Sequence, residues 1–162
     1  MEDFNEYMDA FIAPMHQIDE HLFLGGLIGA SDKETLTRNR IEAVVQALSN
    51  HTPARTYQGI VYHRIHIEDS LAADITPHLV GALKFIKNAH AQGKNVFVHC
   101  AAGISRSSSI VTAYLMAKHR LSFADALQQV RSARACAWPN EAFQQQLRAL
   151  DCNTLRERVG FK

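Results

Sequence analysis

The chain lacks the features that define several broad protein classes. Its longest apolar run, LFLGGLIGA at residues 22–30, is too short and too rich in glycine to cross a bilayer as a helix. Neither sign of charge is in excess: 17 Lys and Arg stand against 16 Asp and Glu, so no footprint for nucleic acid or an anionic membrane is expected. The opening MEDFNEYMD is acidic where a secretory leader would be basic. Only 3 cysteines occur, and three thiols cannot all pair within one chain. A reducing setting is therefore expected, the cytoplasm with access to the nucleus, which leaves thiols free for chemistry. The 9 histidines show no zinc-binding spacing, and His63 and His66, three apart, would face opposite sides of a strand. Neither a metal nor any other cofactor is expected.

What is present suits one domain: 162 residues, 47% hydrophobic, are enough to bury a core. Phe4, Met8, Phe11 and Met15 recur at helical spacing and predict an amphipathic helix over residues 3–13. Its plain reading is packing on its own domain as a monomer, and a homodimer through this segment is the sharper alternative. Glu2, Asp3, Glu6 and Asp9 on its polar side argue against membrane docking. Strands are expected at 21–24, 41–48, 62–67 and 96–98. Ser31 with Glu34 reads as one capping box, and Ser122 with Asp125 as another. Thr76-Pro77 reads as an N-cap followed by an N1 proline, with Leu79, Leu83 and Ile86 as the buried face. Further helices are expected at 106–119, 122–134 and 140–151. Strands alternating with helices indicate an α/β fold with a mostly parallel sheet, and ligands bind such sheets at the carboxyl ends of their strands.

Cys100 falls at such an end, within VFVHCAAGISRSSSIV at residues 96–111. Spacing alone says little, because Cys152 also has an arginine six positions later, Arg158. Context separates the two. Ala101, Ala102 and Gly103 allow the backbone after the strand to curl tightly, so that the N–H groups through Ile104 and Ser105 converge on one point. Such a nest binds anions, and the N-terminus of a helix starting near Arg106 reinforces it. The same field favours the ionised form of a thiol at its centre. Arg106 supplies a planar fork for two oxygens of a phosphate. Cys152 has no preceding strand and no glycine, so its arginine is a coincidence. The nucleotide-binding pattern GxxxxGK followed by Ser or Thr is absent from the chain.

HCAAGISRS resembles the HCxxGxxR signature of cysteine-dependent protein phosphatases, and is most similar to the HCxAGxSRS form of the dual-specificity phosphatases. The likeness extends through IHIEDSLAADITPHLVGALKFI and AYLMAKHRLSFADALQQVRSARACAWPNEAFQQQL. It implies a catalytic domain over 17–151, with residues 1–16 as an extension and 152–162 as a tail. It also implies a single α/β domain with a sheet of about five strands flanked by helices.

The chemistry implied needs no metal. Cys100 attacks phosphorus, an acid protonates the leaving oxygen, and water then hydrolyses the cysteinyl phosphate. Ser107 matches the hydroxyl that steadies the departing thiolate, His99 a residue that tunes the nucleophile, and Asn140 one that braces the loop. Each also has a structural reading, as a helix-cap serine, a strand-end histidine and an N-cap asparagine. Three carboxyls compete for the acid's role: Glu68, Asp69 and Asp74. The family's apolar alternation followed by aspartate selects Asp69, while Asp74 suits a complement to the helix dipole. The loop interior carries no lysine, which favours a phosphorylated protein over a multiply charged phosphoinositide, RNA 5′-phosphate or glucan. A phosphate-binding protein without turnover is a further alternative, set against the presence of Cys100, Arg106 and an acid.

Overall fold

The computed structural model describes residues 4–162. Of the expected N-terminal helix, Asp3 and the neighbouring Glu2 lie outside these residues; α1 runs Phe4–Ile12. The chain continues through β1 (Met15–Asp19), β2 (Leu22–Gly25), α2 (Leu27–Ala30), α3 (Lys33–Arg38), β3 (Ile41–Leu48) and β4 (Val61–His66). Then come α4 (Thr76–Ala91), β5 (Asn95–His99), α5 (Arg106–His119), α6 (Phe123–Ala133), α7 (Glu141–Arg148) and α8 (Cys152–Val159). The five strands order as β1-β2-β5-β3-β4. Only the edge pair β1–β2 is antiparallel; β2–β5, β5–β3 and β3–β4 run parallel.

Parallel strands are covered on both faces and are mostly apolar, as in IEAVVQAL, where only Glu42 is exposed, and in NVFVH. One face carries the main core, where Val45, Val98, Leu83 and Ile110 meet Leu115 and Phe143. The other carries a smaller cluster of Phe23, Leu36, Val44 and Phe97 under α2 and α3. Helix α5 follows the central strand, and its residues from Arg106 to Ala117 are all buried.

Several local expectations are corrected. Helix α3 is capped by Asp32, not Ser31, because α2 occupies 27–30 and leaves Ser31 as its C-cap. The Asp32 carboxylate accepts from the Glu34 N–H and from the Thr35 hydroxyl. Strand β2 starts at Leu22, since His21 takes a left-handed turn conformation with φ 59°. Thr76 is the first helical residue rather than the cap, and its N–H donates to the Asp74 carboxylate at 3.0 Å. The segment expected as a tail forms α8, capped by Asp151, with Leu155 and Val159 in the main core. α1 packs on its own domain by burying Ala10, while Phe4 and Ile12 stay exposed.

Candidate active site

Strand β5 delivers Cys100 to the carboxyl edge at the middle of the sheet, and α5 begins six residues later at Arg106. The intervening loop is shaped by what its carbonyls bond. His99 Nδ1 meets the Cys100 carbonyl at 3.1 Å. The Leu27 N–H donates to the Ala101 carbonyl at 2.9 Å, and the Trp138 N–H to that of Ile104 at 2.7 Å. Arg134 donates from Nη2 to the Ala102 carbonyl at 3.2 Å and from Nε to that of Gly103 at 2.9 Å. Ser109 donates to the Ser105 carbonyl through both its N–H and its hydroxyl. Six consecutive carbonyls, from Cys100 to Ser105, are thus each held by a hydrogen-bond donor.

Glycine is required where the loop meets strand β2. Gly103 has φ +69°, and a Cβ there would sit 2.6 Å from the Gly25 carbonyl carbon and 2.6 Å from Arg134 Nη2. Gly26 faces the loop in return, because a Cβ on it would lie 2.7 Å from the Ala101 oxygen. The close approach is backbone against backbone and cannot relax by a rotamer change.

At the centre, Cys100 is 2% exposed and its sulfur lies 3.0 Å from Ser107 Oγ. Arg106 is buried, with Nη1 donating to the Ile67 carbonyl at 3.0 Å and Nε left without a protein partner. This anchors the guanidinium to the segment that carries the carboxyl candidates. Asp69 is exposed, and its Oδ1 accepts from Asn140 Nδ2 at 2.9 Å. Asn140 Oδ1 caps α7 by accepting from the Phe143 N–H, and the Asn140 backbone N–H donates to Ser105 Oγ. Asp74 is occupied at the start of α4, and Glu68 is exposed.

His99 is fully buried and stacks on Phe97 with ring centres 5.5 Å apart. Burial pushes its pKa down to about 4, with nearby Arg64 adding to the effect and the Cys100 carbonyl opposing it. The ring is neutral at pH 7, and its bond to a carbonyl places the proton on Nδ1.

Sequence reasoning gave Arg134 no role. It is 1% exposed and sits at the C-terminal end of α6. Besides the two loop carbonyls, its Nη1 reaches the carbonyls of Ala10 and Ala13 and the ring of His16. Burial lowers its pKa. Its hydrogen-bond partners are carbonyls and one imidazole, so a positive charge lies directly behind the loop that follows Cys100. The signal available was an arginine among apolar helix positions, which is ambiguous because every contact it makes is distant in sequence. All three cysteines are free thiols, and among the described residues no cluster of His, Cys, Asp or Glu could hold a metal ion.

A mostly parallel α/β sheet with a buried thiol at its carboxyl edge, six residues before a buried arginine, is the arrangement expected of a cysteine-dependent phosphatase. The family described as dual specificity phosphatase, catalytic domain, matches residues 22–152. Dual specificity protein phosphatase 22 of Mus musculus is 38% identical over 138 residues, covering 85% of this chain and 73% of its own. Dual specificity protein phosphatase 15 of Homo sapiens is 39% identical over 126 residues, covering 78% of this chain and 42% of its own. The crystal structure of DUSP15 superposes with a TM-score of 0.84 at 34% identity, covering 90% of this chain and 94% of that one. The chain belongs to the dual specificity protein phosphatase family, hydrolases of phosphoserine, phosphothreonine and phosphotyrosine.

Proposed function

We propose that this protein removes phosphate from phosphotyrosine and phosphoserine or phosphothreonine in proteins through a cysteinyl-phosphate intermediate. The observation that carries the reading is the Cys100 sulfur, 3.0 Å from Ser107 Oγ, behind a loop whose carbonyls all bond outward. The thiolate attacks phosphorus while the loop N–H groups of residues 101–105 and the Arg106 fork hold the equatorial oxygens. Asp69 gives its proton to the leaving oxygen, so the alcohol departs neutral. Asp69, now a carboxylate, takes a proton from water, which attacks phosphorus and expels the Cys100 thiolate. Ser107 donates a hydrogen bond to that thiolate as it leaves. His99 and Asn140 support these groups from behind, and no cofactor takes part.

The loop interior, Ala101 to Ser105, carries no cationic side chain that would meet a second phosphate, which favours a protein monoester over a phosphoinositide. We place the protein in the cytoplasm with access to the nucleus, as a monomer, where its three thiols remain reduced. Among the described residues no helix is long and apolar enough to cross a membrane. The catalytic unit proposed is 17–151, with 1–16 as a flanking segment and α8 packed into its core.

Cys100→Ser tests the reading. It is expected to abolish turnover of an aryl phosphate while leaving tungstate binding largely intact. Turnover at the wild-type rate would end the proposal. Burst release of the phenol by the wild-type protein separates an enzyme from a protein that only binds phosphate.

A further inference from the structure

The carboxyl ends of three neighbouring strands carry a row of polar side chains. Strand pairing sets His99 of β5 beside Gln46 of β3, and Gln46 beside Arg64 of β4. Two positions earlier in each strand stand Phe97, Val44 and Tyr62, which form or pack against the smaller cluster under α2 and α3. Side chains two apart share a face, so the polar row lies on that same face. Neighbouring strands are about 4.8 Å apart, which puts paired side chains in reach of one another or of a shared water.

Burial makes the hydrogen bonds of this row consequential. Gln46 is 3% exposed and His99 is fully buried. Each of the three side chains has one buried nitrogen without a protein partner: Arg64 Nε, Gln46 Nε2 and His99 Nε2. Among the described residues six side-chain atoms are in that position, and half of them fall in this single row.

Their chemistry fits together in one direction. Arg64 Nε can only donate, and its guanidinium is pinned by Nη2, which donates to the carbonyls of Ser49 and Thr52 at 2.9 Å each. Gln46 has one oxygen that accepts and one nitrogen that donates. His99 keeps its proton on Nδ1, against the Cys100 carbonyl, so its Nε2 can only accept. We propose that Gln46 and Arg64 are positioning residues for Cys100 and act through His99: Arg64 Nε donates toward Gln46 Oε1, Gln46 Nε2 toward His99 Nε2, and His99 Nδ1 to the Cys100 carbonyl. The first two links run across one bound water each, which preserves the direction of donation.

The row fixes which ring nitrogen of His99 carries the proton. With the proton on Nε2 instead, the Nδ1 lone pair would face those of the Cys100 carbonyl, and repulsion would displace the backbone that carries the thiol. Arg64 acts a second time, because its charge disfavours a second proton on the ring. Of the other elements beside His99, β2 presents Gly25 and α2 has no titratable residue. The inference rests on the reading of Cys100 as the nucleophile, and it names what holds that residue in place.

Nitrogen-15 spectra of histidine-labelled protein test the row, with the His99 ring identified by its loss in His99→Asn. In the wild-type protein at neutral pH, Nδ1 is expected to carry the proton and Nε2 to accept a hydrogen bond. Gln46→Glu keeps the size of the side chain and removes its donor, so the proton is expected on Nε2. Gln46→Met removes donor and acceptor together and is expected to give a mixture of the two tautomers. In both variants the burst of phenol release from an aryl phosphate is expected to slow about 10- to 100-fold, as for a nucleophile moved off its line of attack. Tungstate binding is expected to change far less.

A wild-type ring protonated on Nε2 overturns the proposal without recourse to any variant. So does an unchanged tautomer in both Gln46 variants. A slowed burst with the tautomer intact reduces Gln46 to packing, and a changed tautomer with a wild-type burst removes its link to Cys100; either result overturns the proposal as well. Absence of any burst in the wild-type protein, with the proton on Nδ1 and displaced in Gln46→Glu, would instead count against the phosphatase reading and leave the row standing.

Discussion

Asn140 Nδ2 donates to Asp69 Oδ1 at 2.9 Å, joining two loops that lie 71 residues apart. The same amide reaches the Ser70 carbonyl at 3.2 Å, and the Asn140 N–H holds Ser105 Oγ in the phosphate loop. One residue therefore links the carboxyl candidate, through its side chain, to the loop it is proposed to serve, through its backbone. Asn140→Ala would lose the α7 cap, about 1 kcal/mol, together with this positioning. Asn140→Asp keeps the cap but sets a like charge against Asp69. Both variants are expected to lower kcat for alkyl phosphates more than for aryl phosphates, while thermal melting shows Asn140→Ala to be the less stable. A stability loss without the leaving-group dependence would reduce Asn140 to a cap.

Asp69 and Asp74 are expected to separate cleanly. Asp69→Ala should cut kcat by about 10²–10⁴ on alkyl phosphates and far less on phosphates with acidic leaving groups. Asp74→Ala removes only an acceptor at the start of α4, so kcat should hold while stability falls by about 0.5–2 kcal/mol. Steady-state kinetics with a series of leaving groups checks both, and an exchange of these behaviours would reassign the acid.

Ser107→Ala leaves the departing thiolate without its hydroxyl partner 3.0 Å away. A hydrogen bond to a charged group contributes about 1.5–3 kcal/mol, so breakdown of the cysteinyl phosphate should slow roughly 10- to 100-fold. Rapid-quench measurements should then show an enlarged burst with nearly unchanged first turnover. Equal slowing of both steps would argue that Ser107 acts only by packing.

Acid should destabilise the fold through His99. Its folded pKa is depressed to about 4 from 6.5, so the unfolded chain binds its proton first as pH falls. The stability it contributes is complete above about pH 6.5 and is lost progressively down to about pH 4, some 3 kcal/mol in all. Burial also depresses His16, His63 and His90, which act in the same direction. Urea melts at pH 7 and pH 4.5 should show a smaller loss for His99→Asn than for the parent chain. An equal loss in both would remove His99 from the account.

Arg134→Met should unfold or severely weaken the protein, by about 3–5 kcal/mol, because it strands carbonyls of two loops in a dry interior. Arg134→Lys should not rescue it, since an ammonium cannot span the Gly103 carbonyl and those of Ala10 and Ala13 together. Circular dichroism melts decide the point, and near-native stability of either variant would overturn it.

Local signals carried most of what sequence could reveal. Helix α5 begins at Arg106 as expected, and Ser122 caps α6 by accepting from the Asp125 N–H. These features are short-range: a cap, an apolar period, a glycine after a strand. What was missed is long-range or weakly patterned. Strand β1 is an edge strand that buries only Ile18, so it shows no alternation to read. In α8 the buried apolar residues are only Leu155 and Val159. The bond occupying Asp74 spans two residues and was close to legible, whereas that of Asp69 spans 71. Cys100 and Arg106 were readable because a strand, a glycine and a helix frame them in one continuous stretch. Arg134 was not, since its partners lie up to 124 positions away.

That distance has a consequence for the protein during its synthesis. A ribosome releases the chain from its N-terminus, so Ala102 and Gly103 emerge well before the arginine that gathers their carbonyls. Until residue 134 clears the exit tunnel, the Ala102 and Gly103 carbonyls lack that partner. This corner of the fold therefore closes late, when one cation joins the carbonyls of residues 10 and 13 to those of residues 102 and 103.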